Sequence, residues 1–70
     1  MERDAMGNPI VYIVYDRSRK GTTTGYWRVA VFCRLKNAQQ FLKKQDNDNL
    51  FISCNHGTAR DFSLARDLGE

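Results

Sequence analysis

The stretch Tyr26–Lys44, YWRVAVFCRLKNAQQFLKK, decides the fold. From Tyr26 to Phe32 it is rich in aromatic and β-branched residues, which predicts a strand. Strict alternation would place Trp27, Val29 and Val31 on one face and Tyr26, Arg28, Ala30 and Phe32 on the other. Arg28 marks that second face as partly wet, because an unpaired guanidinium is costly to bury. After Arg34 the period changes: Leu35, Ala38, Phe41 and Leu42 share one helical stripe, predicting a helix over about 35–45. Its start is poorly capped, since Cys33 and Arg34 stand where Ser, Thr, Asp or Asn would accept free N–H groups. Lys43 and Lys44 suit its end, where the helix dipole favours cations.

Upstream, Ile10–Tyr15 reads IVYIVY, apolar on both faces, and is expected in the middle of a sheet. The segment 16–25, DRSRKGTTTG, reads as a long connection carrying Arg17, Arg19 and Lys20 at its tip. Residues 1–9 lack apolar periodicity and read as a mobile arm ending in a Gly7-Asn8-Pro9 turn.

Downstream, Asp46–Asn49 is a polar turn and Leu50–Cys54 a third strand, with Leu50, Ile52 and Cys54 toward the core and Phe51 and Ser53 opposite. Asn55, His56 and Gly57 form the next turn. Thr58 and Asp61 resemble a capping box, opening a helix over Ala59–Leu68 in which Phe62, Ala65 and Leu68 line one side, Leu64 widens it and Gly69 ends it. The expected architecture is a small α+β domain over 10–68, ordered β-β-α-β-α. Its three-stranded antiparallel sheet has strand order 2-1-3, with the main helix on one face.

With 70 residues, the chain has room for one domain with a modest core. Lys and Arg total 11 against 8 Asp and Glu, a net charge of +3 that permits nucleic-acid binding without requiring it. Two cysteines are too few for a disulfide scaffold, and the absence of a long apolar run or signal-peptide pattern makes a cytoplasmic location the expectation.

No catalytic constellation stands out. Lys20-Gly21-Thr22 lacks the upstream glycine of a phosphate loop, and the acidic residues form no evident acid–base pair. Cys33, Cys54 and His56, with Asp61 as a fourth ligand, are weak metal candidates because their spacing matches no zinc motif. No cofactor is expected. The open question is what covers the face carrying Tyr26, Arg28, Phe32 and Phe51: the last helix, a second copy of the chain, or a bound macromolecule. The expected function is a non-enzymatic accessory or regulatory protein acting through protein–protein interaction, including homodimerisation. The alternative is a nucleic-acid binder using Arg17, Arg19, Lys20 and the aromatic face around Arg28.

Overall fold

The computed structural model describes residues 2–20 and 25–68, with the side chain of Lys20 outside that description. The elements run β1 (Ile10–Lys20), β2 (Tyr26–Phe32), α1 (Leu35–Gln45), β3 (Leu50–His56) and α2 (Ala59–Leu64). The three strands form one antiparallel sheet in the order β2-β1-β3. As its composition requires, β1 is central: Ile10, Val11, Tyr12, Ile13 and Val14 are all buried.

The two faces of β1 serve two separate cores. Ile10, Tyr12 and Val14 join Ala30, Phe32 and Ala38, with Leu35, Phe41, Leu42, Leu50 and Ile52 packed around them under α1. On the reverse face Val11, Ile13 and Val31 are covered by Phe62 and Ala65. Gly57 permits this closure, because a Cβ there would collide with the Phe62 ring.

The face assignment of β2 departs from simple alternation. Val14 pairs with Ala30 but Tyr15 pairs with Arg28, leaving Val29 as the extra residue of a β-bulge. Val29 and Ala30 consequently both serve the α1 core, together with Phe32, while Val31 faces α2. Ala30 and Phe32 therefore do not belong to the face of Tyr26, Arg28 and Phe51, contrary to the alternating pattern.

Two element lengths also differ from expectation. β1 continues through Lys20, so Arg17, Arg19 and Lys20 belong to a strand with irregular pairing (Asp16 opposite Trp27, then Lys20 opposite Tyr26) rather than to a loop tip. Residues 21–24, the remainder of the expected connection apart from Gly25, lie outside the described residues. α2 stops at Leu64 because the chain straightens at Ala65 to bridge Val31, and Arg66 N–H donates to Val31 O at 3.0 Å. Leu64 and Leu68 are exposed, outside the core stripe predicted for them, and Gly69 is outside the described residues.

That C-terminal strap supplies the cap that α1 lacks. Arg34 makes no side-chain cap. Instead the Asp67 carboxylate accepts from Cys33 N (2.6 Å), Arg34 N (3.1 Å) and Asn37 Nδ2 (2.7 Å). Burial opposes ionisation of Asp67, but these donors prevail and hold its carboxyl below the ordinary aspartate value. Residues 2–9 fold into a turn in which Asp4 Oδ1 accepts from Met6 N and Asn8 N, and Arg3 bridges Pro9. Glu2 accepts from Leu35 N at 3.4 Å, a second contact to the start of α1. No helix among the described residues is long and apolar enough to cross a membrane.

Candidate functional site

α2 is short, so it covers only one end of the reverse sheet face. The other end is filled by aromatic side chains brought together by strand register: Tyr15 lies opposite Phe51 on β3 and opposite Arg28 on β2. Tyr15 and Phe51 stack with ring centroids 5.6 Å apart, and Tyr26 meets Phe51 edge-on at 5.2 Å. The Arg17 guanidinium sits 4.8 Å from the centre of the Phe51 ring, a cation–π arrangement. Arg28 reaches back to Asp61, its Nη1 donating to Oδ1 at 3.2 Å.

Asp61 thereby joins the patch to α2. Its Oδ2 accepts from Thr58 N and Thr58 Oγ1, and its own N–H donates to Thr58 Oγ1, completing the capping box read from the sequence. Since the Arg28 side chain is 42% exposed, its ion pair contributes at most about 1 kcal/mol. It orients the guanidinium more than it stabilises the fold.

The opposite side of the same sheet end carries a second pair. Trp27, opposite Asp16, is 41% exposed, and the Arg19 guanidinium lies 5.5 Å from its ring centre. Asp16 is buried and accepts from Ser18 Oγ and Ser18 N, bonds that hold its carboxyl below the ordinary value and fix the chain between the two arginines.

Of the residues singled out by sequence, Arg17, Tyr26, Arg28 and Phe51 converge. Arg19 belongs to the Trp27 side, and the Lys20 side chain lies outside the described residues. Phe32 is removed from the site: it is buried and packs against Phe41 at 5.5 Å beneath α1, because the bulge precedes it. Trp27 is the residue that sequence reasoning missed, whereas for β1 alternation alone allows either Ile10, Tyr12 and Val14 or Val11, Ile13 and Tyr15 on this face. The register needed to find Tyr15 follows once β1 and β3 are paired, whereas the exposure of Trp27 depends on where α1 stops covering the sheet.

The weak metal candidates are separated by their roles. Cys33 is buried, and burial together with the Asp67 charge pushes its thiol pKa up. Cys54 is exposed on β3, and His56 Nε2 pairs with Asp4 Oδ2 at 2.9 Å. Among the described residues no group of three or more His, Cys, Asp or Glu side chains is placed to hold a metal ion. A shallow groove of about 220 Å³ lies between α1 and the strap. Its Asp67 is committed to capping α1, and its Arg66 guanidinium stands 5.0 Å from the Phe41 ring centre. Comparison with protein-family models, curated proteins and solved structures gives no match.

Proposed function

We propose that this chain is a small non-enzymatic accessory protein that binds another protein through the aromatic–arginine end of its sheet, in a cytoplasmic setting. The observation that carries the reading is the consecutive exposure of Tyr26, Trp27 and Arg28 on one strand, backed by Tyr15, Phe51 and Arg17. Tyr, Trp and Arg are the residue types that contribute most at protein interfaces, where large side chains held by their neighbours lose little entropy on binding. Exposed Asp46 and Asp48 lie in the turn whose Asn49 O accepts from Arg17 N, so this end of the molecule carries both signs of charge. Mixed charge suits a protein surface better than a phosphate backbone.

Nucleic-acid binding is the second reading, favoured by the stacked arginines, which could pair with phosphates while rings accept bases. Arg17 and Arg19 associate with rings on opposite sides of the sheet, which divides the positive charge instead of gathering it in one loop. Affinity capture from the cells that make the protein, run beside Tyr26→Ala and Trp27→Ala, tests the first reading. The specific partner should be lost from both variants, while each variant keeps its stability within about 1 kcal/mol. Retention of short RNA or DNA that weakens steeply with salt and disappears in Arg17→Gln/Arg19→Gln would replace it with the second.

A further inference from the structure

The two edges of the sheet are treated differently. β2 carries the Val29 bulge and Arg28, and its outward Val31 carbonyl is occupied by Arg66 N–H. These are devices that keep an edge from pairing with another chain. β3 has none of them: LFISCNH contains no proline, lysine or arginine, and its pairing with β1 runs without a register break.

Backbone parity shows what this edge offers. Arg17 N–H donates to Asn49 O and Gly57 N–H to Pro9 O, so odd-numbered positions along β3 direct their backbone groups toward β1. The backbone groups of Ile52, Cys54 and His56 therefore face outward, as does the Leu50 carbonyl, while Leu50 N–H is taken by Asn47 O. The N-terminal turn touches β3 at its end, where the His56 side chain pairs with Asp4 Oδ2, while Ile10 N–H donates to Glu2 O on the β2 side of β1.

We infer that β3 is a homodimerisation edge, at which a second copy adds its own β3 antiparallel about a two-fold axis at Ser53, making one six-stranded sheet. This register sets Ile52 against Cys54 of the other copy and Leu50 against His56, so outward donors meet outward acceptors except at the Leu50 N–H, which Asn47 O already holds. Any shifted register leaves part of the strand unpaired. The strand carries no lysine, arginine or carboxylate to repel its copy, and small Ser53 meets itself at the close, non-hydrogen-bonded position, with Cα atoms about 4.5 Å apart. The pairing keeps both reverse faces on the same side, with the two Phe51 positions about 14 Å apart along the strand direction. The dimer rests on the protein-interaction reading and gives it a definite form: two aromatic–arginine patches on one continuous face.

The test is the mass in solution across a wide concentration range under reducing conditions, for the wild type, Cys54→Pro and Cys54→Lys. Cys54 is exposed, and proline there removes an outward N–H while sparing every bond to β1. The expected result is a wild-type mass of twice 8.1 kDa, with dissociation constants raised about tenfold or more in both variants. Ser53→Cys in a Cys54→Ser background should form a covalent dimer on mild oxidation. A wild-type mass of 8.1 kDa throughout, a dimer undiminished in folded Cys54→Lys, or a dimer in which position 53 fails to cross-link would overturn the inference. If Cys54→Pro does not fold, Cys54→Lys decides. A monomer whose partner capture still depends on Tyr26 overturns the dimer alone; a dimer whose partner capture ignores Tyr26 overturns the interface reading alone.

Discussion

Asp67 shows how much one side chain can organise. It is 4% exposed and accepts three donors at the start of α1, so its removal deprives the buried Cys33 N–H of its acceptor. Asp67→Ala should cost about 1–3 kcal/mol in chemical denaturation and speed amide exchange at Cys33 and Arg34. The pH dependence has a fixed sign. Because the folded carboxyl is depressed, its stabilisation is complete above the unfolded value of about 3.9 and is lost as pH falls through the folded value. The stability gap between wild type and Asp67→Asn should therefore narrow on acidification below pH ~4. Tyr12 has the opposite linkage: its hydrogen bond to Glu2, helped by burial, pushes its pKa up to about 12, so its contribution fades as pH rises from about 10 toward that value. Gly57 is the steric counterpart. Gly57→Ala should destabilise by about 1–3 kcal/mol, since the added methyl displaces the Phe62 ring that seals the reverse core.

The elements themselves were largely legible, because each carries its own period. IVYIVY could not expose either face, and the Leu35, Ala38, Phe41, Leu42 stripe had only one helical solution. The misreadings have tertiary causes. Val29 looks like any strand residue, so nothing local announces that it is the extra position of a bulge, and the faces of Ala30 and Phe32 were inverted as a result. The sequence from Ala65 to Leu68 continues the helical pattern of α2, but pairing with Val31 and the reach of Asp67 draw it out as a strap. The end of α1 offers a direct check. Asp46 adopts a left-handed conformation, φ 47°, as the C-cap, and its carboxylate lies near the negative end of the helix dipole. Asp46→Gly removes both costs and should raise stability by about 0.5–1 kcal/mol, measurable as a higher denaturation midpoint.

At the scale of the whole molecule, two small cores share one central strand, so neither side can be loosened without affecting the other. α1 seals its side broadly, whereas α2 covers Val11, Ile13 and Val31, with half-buried Tyr15 packed at the border of that core, and leaves Tyr26 and Phe51 toward the far end. The sequence indicated that this face would be rich in aromatics and carry Arg28. It could not divide the face into a sealed half and an open half, because that division depends on where α2 stops. The expected separation of effects follows: core substitutions such as Phe62→Ala should lower stability by about 3–5 kcal/mol, while Tyr26→Ala should act on partner capture with little change in unfolding.

The strap also sets the order in which the domain can be completed during synthesis. The Cys33 amide finds its acceptor 34 positions later, at Asp67. Until the strap has been made and has cleared the ribosome, the first turn of α1 lacks its Asp67 cap and the Val31 edge its cover. Held on the ribosome by a linker long enough to clear the exit tunnel, a chain ending at Leu64 should therefore remain open to proteases around Cys33–Ala38, and resistance there should appear once the strap is restored.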